Sequence, residues 1–197
     1  PSEGLELRKP DVAALEFLDH NSLATAARHI GRRLPTDGEH PYYVLVESRS
    51  LPDLRPDADA VVDERLWDYR EATTEALSKH GIPHKFDVGV PPSRLDEFVE
   101  DLQQLEGTMF VFGHLAEGSC HVNVLGSDDF ASVAENVFGL VIKYGGTVAG
   151  EHGIGVAKGR WIDLTTTPEE QAARARIKEA LDPKGILNPA VGRVAQA

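Results

Sequence analysis

Glycine density around a few polar side chains is the tightest constraint in this sequence. Between Gly113 and Gly155, two short motifs flank one helix-length segment. The first, Gly113 to Val124, reads Gly-His-Leu-Ala-Glu-Gly-Ser-Cys-His-Val-Asn-Val. The second, Gly145 to Gly155, reads Gly-Gly-Thr-Val-Ala-Gly-Glu-His-Gly-Ile-Gly. Three histidines, a glutamate and an asparagine are set among these glycines, in a chain with eight histidines in all. Glycine permits tight turns and close approach of backbone to a side chain or ligand. The rest of the chain reads as scaffolding and substrate contacts around this cluster.

Thr108-Met-Phe-Val-Phe is β-branched and aromatic and predicts a strand, and Cys120-His-Val-Asn-Val-Leu alternates and predicts a second. Glu117-Gly118 predicts a two-residue turn between them. That register sets His114 opposite His121, with Cβ atoms about 5 Å apart. Alternation puts Asn123 on the same face. Two imidazoles so arranged can share a metal ion. The second motif leaves Glu151 and His152 exposed in a crevice. Two histidines and a carboxylate with open positions are a common catalytic metal arrangement. Each histidine alone reads as a surface or hydrogen-bonded residue; the combination carries the metal reading.

On these two motifs the chain resembles the C-terminal half of FAD-linked oxidases of the D-lactate dehydrogenase, glycolate oxidase and D-2-hydroxyglutarate dehydrogenase type. The family patterns run roughly Gly-His-x-Gly-Asp-Gly-Asn-x-His-x-Asn and Gly-Gly-x-x-x-x-Glu-His-Gly-x-Gly. The resemblance extends from about Leu15 to Val194. It departs at Ala116-Glu117-Gly118-Ser119, where Gly-Asp-Gly-Asn is usual, and at Ala190, where glycine is usual. The ligand positions are intact, whereas turn geometry and flavin contacts are open to change.

The resemblance implies oxidation of a D-2-hydroxy acid to the 2-oxo acid, with hydride passing to FAD. It implies that Arg70, Thr74 and Lys85 bind the substrate carboxylate and that Asn123 contacts the substrate or a ligand. It assigns a divalent metal, zinc foremost, to His114, His121 and Glu151, the role of general base to His152, and a position near the flavin to Asn188. Nothing in the chain resembles the FAD pyrophosphate loop of the family's N-terminal domain. The expected partners are therefore a small 2-hydroxy acid and an N-terminal FAD-binding domain, and this chain alone is expected to be inactive. The fold implied is α+β: a mainly antiparallel sheet with helices on one face, ferredoxin-like in outline. The resemblance makes residues 1–181 the substrate-binding cap and 182–197 a tail returning toward the flavin domain.

Composition narrows the alternatives. The chain has 197 residues, 41% hydrophobic and 26% charged, which suits one globular unit. A net charge of −12 argues against nucleic acid or an anionic membrane as the main partner. Cys120 is the single cysteine, so no internal disulfide forms. No apolar run reaches the roughly 18 residues of a membrane span. A cytoplasmic location is expected, with any targeting segment outside the chain, since Pro1 is not an initiator methionine.

The remaining elements follow from local pattern. Val12, Leu15, Leu18 and Leu23 predict a helix over Pro10 to Ile30, with an interruption near Asn21. Tyr42-Tyr-Val-Leu-Val-Glu-Ser predicts a central strand, and Ser50 to Asp59 a loop. Asp63 to Lys79 predicts a helix carrying Arg70 and Thr74 on one face. His84 to Val90 predicts a strand with Lys85 and Asp87 on one face. Helices are expected from Pro91 to Leu105 and from Asp128 to Tyr144. A capping box at Thr167 and Glu170 starts another, running to Leu181. Two rival functions remain on the sequence alone: a metal-binding or assembly module without catalysis, and a zinc hydrolase, although His-Glu-x-x-His is absent.

Overall fold

The computed structural model describes residues 2–7, 9–50, 59–189 and 191. Most of the expected Ser50–Asp59 loop, and the departure at Ala190, lie outside them.

Among the described residues five strands make one antiparallel sheet: β1 (Val12–Asp19), β2 (Tyr42–Ser48), β3 (His84–Gly89), β4 (Thr108–His114) and β5 (Ser119–Leu125), in the order β2-β1-β4-β5-β3. The helices are α1 (His20–His29), α2 (Trp67–His80), α3 (Leu95–Leu102), α4 (Phe130–Lys143), α5 (Gly159–Ile162) and α6 (Pro168–Leu181). The α+β class and the antiparallel sheet are those expected. Where helices on one face were expected, they lie against both. Strand alternation sends Leu15, Phe17, Val111, Val122, Phe86 and Val88 into a large core with α3 and α4. It sends Leu18, Phe110 and Phe112 the other way, into a smaller cluster with Leu23 and Ala27 of α1 and Tyr69 and Leu77 of α2.

The segment from Pro10 to Ile30 is not one helix. It is β1 followed directly by α1, and the break comes at Asp19. The Asp19 side chain caps α1 by accepting the Ser22 N–H at 2.8 Å, and its second oxygen accepts the Val111 N–H at 2.9 Å. β1 is buried on both faces, so its apolar residues run almost continuously and carry no clear period. The predicted central strand is also corrected. Among the described residues β2 pairs only with β1 and forms one edge of the sheet. Its apolar residues serve both clusters, Val44 and Val46 on one side and Tyr43 on the other, which makes it read as central.

The β4–β5 register differs from the two-residue turn. Phe112 faces His121, and His114 faces Ser119, across a four-residue loop, Leu115 to Gly118. Leu115 is responsible: its N–H donates to the Leu15 carbonyl at 2.9 Å, and its side chain is fully buried in the core. Gly118 closes the loop at φ +69°, and a Cβ there would collide with the Val90 carbonyl. The offset is two residues, so His114 and His121 keep one face and become diagonal neighbours.

After α4 the chain turns through Gly145 and runs back beside β3. Gly89 and Thr147 exchange backbone hydrogen bonds of 2.8 and 2.7 Å, adding a bridge at the sheet edge. This bridge starts the loop that carries Glu151 and His152. Further on, α6 begins at the predicted capping box and ends at Leu181.

Candidate active site and metal centre

The site is assembled on the sheet face that bears α1 and α2. Alternation along β4 and β5 puts His114, His121 and Asn123 on that face. Register then adds one residue from each flanking strand. Glu16 of β1 stands opposite His114, and Asp87 of β3 stands opposite His121.

The Gly150–His152 loop closes over these residues because Asp87 holds it. The Asp87 carboxylate accepts the Glu151 N–H at 3.1 Å and the His152 N–H at 2.9 Å. Lys158 donates Nζ to the Asp87 carbonyl at 2.6 Å and lies 3.3 Å from its carboxylate. Burial works to raise the Asp87 pKa, but the two backbone N–H groups and the Lys158 charge outweigh it and hold the carboxyl below its usual value. Gly150 has no room for a side chain, since a Cβ would overlap the Asp87 carboxylate.

Glu151 is thereby carried into the middle of the histidines. Its carboxylate lies 2.9 Å from His121 Nε2, 3.3 Å from His114 Nε2 and 3.3 Å from His152 Nε2. Asp87, His121, Glu151 and His152 each offer one ligand atom within 4.8 Å of the others. His114 is outside that tight set but reaches the opposite oxygen of Glu151. Asp87 is already engaged by backbone donors and Lys158, so its chemistry is that of an anchor. His121, Glu151 and His152 of that set, with His114 beside them, are nitrogen and oxygen donors of the kind that bind divalent cations. Burial pushes the His121 pKa down, opposed by Glu151 and assisted by Arg70. Neutral imidazole, the ligating form, is favoured at neutral pH.

Arg70 reaches the site from α2. Its Nε donates to Glu16 at 2.8 Å, and its guanidinium lies over the Phe112 ring at 4.9 Å. Thr74 is one helical turn further on and is exposed. Lys85 is exposed and pairs in register with buried Asn123, on the same face as Asp87 and His121. The structure thus gathers His114, His121, Glu151, His152 and Arg70, with Asn123 and Lys85 two residue pairs along the ladder from His121 and Asp87, on the same face. Asn188 is not gathered in. It is exposed on the turn after α6, at φ +45°, and among the described residues it has no hydrogen bond to the cluster.

Three residues of the site were not singled out from sequence: Glu16, Asp87 and Lys158. Glu16 was hidden inside a segment read as helix. Asp87 carried a usable signal, because it is a carboxylate between Phe86 and Val88 on the polar side of an alternating strand.

The family model for FAD linked oxidases, C-terminal domain, matches residues 6–191. The chain belongs to this FAD-linked oxidase C-terminal domain family. Similar proteins include the mitochondrial D-2-hydroxyglutarate dehydrogenase of Bos taurus, 32% identical over 209 residues, covering 90% of this chain and 38% of the relative. The mitochondrial D-2-hydroxyglutarate dehydrogenase of Arabidopsis thaliana is 31% identical, covering 90% of this chain and 37% of the relative. The D-2-hydroxyglutarate dehydrogenase of Stutzerimonas stutzeri is 27% identical, covering 92% and 47%. This FAD-linked oxidase domain therefore spans less than half the length of these relatives. Family membership implies FAD as the redox cofactor. No helix among the described residues is long and apolar enough to cross a membrane.

Proposed function

We propose that this domain binds and positions the substrate in a flavin-dependent dehydrogenase that oxidises a D-2-hydroxy acid to the 2-oxo acid. The names of the relatives make D-2-hydroxyglutarate the first substrate to test. The observation that carries the reading is the Glu151 carboxylate, met by ring nitrogens of His114, His121 and His152 within 3.3 Å.

In this reading Arg70 and Lys85 bind the substrate carboxylate, and Thr74 flanks Arg70 on its helix face. Asn123, buried beside His121, donates a hydrogen bond to the substrate. His114, His121 and Glu151 would hold a divalent cation, which as a Lewis acid would make the substrate hydroxyl more acidic. His152 is the most exposed of the three histidines and accepts the hydroxyl proton at a ring nitrogen. FAD, held mainly by an N-terminal domain outside this chain, would supply the hydride acceptor. The substrate thereby loses one hydride and one proton and becomes the 2-oxo acid. Asn188 would meet the flavin only if the two parts pack against the turn after α6.

The deciding experiment separates His152 from the cation. In the intact protein, His152→Ala should abolish turnover and leave metal content equal to that of the parent. Metal lost together with activity would make His152 a ligand and move the base to another residue. A metal-free parent with full activity would remove the cation from the reading.

A further inference from the structure

We infer that Glu16 is a positioning residue that joins the carboxylate clamp to the cation site, holding Arg70 with one oxygen and His114 with the other. The inference rests on the reading of His114 as a ligand and Arg70 as a substrate-binding group.

Glu16 is 4% exposed, in the middle of β1. A carboxylate so buried is stable only when its oxygens are matched by donors. Both are matched here, by two different parts of the site. Oε2 accepts from Arg70 Nε at 2.8 Å, and Oε1 is hydrogen-bonded to His114 Nδ1. Glu16 and His114 are direct partners in the β1–β4 ladder, so the backbone fixes this contact.

Two consequences follow from the chemistry of the donors. With Nδ1 facing a carboxylate, the His114 ring carries its proton there. The lone pair is then on Nε2, which is the nitrogen turned toward Glu151. Ligating histidines commonly depend on such a carboxylate for tautomer and orientation. On the other side, Glu16 takes only the Nε–H of Arg70, and Phe112 supports the guanidinium plane. The two Nη groups, which bind carboxylates side by side, have no hydrogen-bond partner among the described residues. One buried carboxylate thus sets the aim of both groups and ties their spacing to the sheet.

Glu16→Gln is the discriminating variant because it keeps the shape. Its amide can serve Arg70 with its oxygen only by presenting NH2 to His114 Nδ1, which forces the wrong tautomer. Zinc affinity would be measured by chelator competition in the intact protein for the parent, Glu16→Gln, His114→Ala and the double variant, with melting temperature as the folding control. Glu16→Gln should weaken zinc binding by about 10–100-fold while the protein remains folded. In the His114→Ala background it should weaken binding no further, because its effect passes through that ring. Unchanged zinc affinity in Glu16→Gln of a zinc-binding parent would overturn the inference and leave the proposed function standing. An equal loss in the His114→Ala background would also overturn it, by marking a general structural effect. A parent that binds no zinc would overturn the cation reading and this inference together.

Discussion

Asp87 and His121 stand directly opposite each other in the β3–β5 ladder, and the same carboxylate binds the backbone N–H groups of Glu151 and His152. One side chain therefore sets the height of the loop above the histidine face. Its strand register brings it to His121, and its hydrogen bonds bring Glu151 there.

Removing that charge should loosen the loop. Asp87→Asn presents one acceptor oxygen and one NH2 group to three donors. At neutral pH it should destabilise the protein by about 1–3 kcal/mol, the cost of leaving buried donors unmatched. Because the folded-state pKa is lowered, the Asp87 contribution is fully present above the unfolded carboxylate value, about 3.9. It is lost as pH falls through the folded value below that. Denaturant titrations of both proteins from neutral pH to pH 3 would measure this, and curves parallel throughout would contradict it.

Gly150 tests the same junction sterically. Gly150→Ala puts a methyl group into the Asp87 carboxylate and should push the loop off it. The expected result is a fall in kcat/KM of at least about tenfold, or 1.4 kcal/mol of transition-state stabilisation. Wild-type kinetics would mean that the loop adjusts without moving Glu151.

Arg70→Ala should act on substrate binding. KM for the hydroxy acid should rise, and kcat/KM should fall by about tenfold or more. Steady-state kinetics equal to the parent would remove Arg70 from the clamp.

Asp19 predicts an opposite pH dependence. Burial pushes its pKa up to about 6, against the hydrogen bonds from Ser22, Val111 and Gln103. The folded state thus holds a proton that the unfolded chain releases near its ordinary value of about 3.9. The stability this supplies is complete below that value and is lost as pH rises through about 6. Relative to Asp19→Asn, the parent should lose about 2 kcal/mol between pH 4 and pH 7. A difference between the two proteins that stays flat over that range would refute the shift.

What could be read from sequence was mostly local. The capping box at Thr167 and Glu170 lies within one turn, and α6 begins and ends where its residues say. His114, His121, Glu151 and His152 lie within forty positions, in two glycine-marked motifs, and the fold gathers them. Failures came where tertiary pairing decides. Val12 to Asp19 has helical spacing but is clasped between β2 and β4. The hairpin turn depended on Leu115 entering a core formed with β1, which the Glu117-Gly118 pair does not report. Glu16 and Asp87 acquire their roles from strands distant in sequence, so no motif around either residue announces them.

That distance bears on how the protein matures. Glu16 and His114 are 98 positions apart, and Asp87 and His152 are 65 apart. The β4–β5 hairpin can bring the two histidines together early, because its contacts are local. Until β1 and β3 dock on its two sides, those rings have neither carboxylate neighbour nor the loop that carries Glu151. A cation or substrate that needed all of them would recognise only the completed sheet, and its binding would hold β1, the hairpin and β3 together as one cooperative unit.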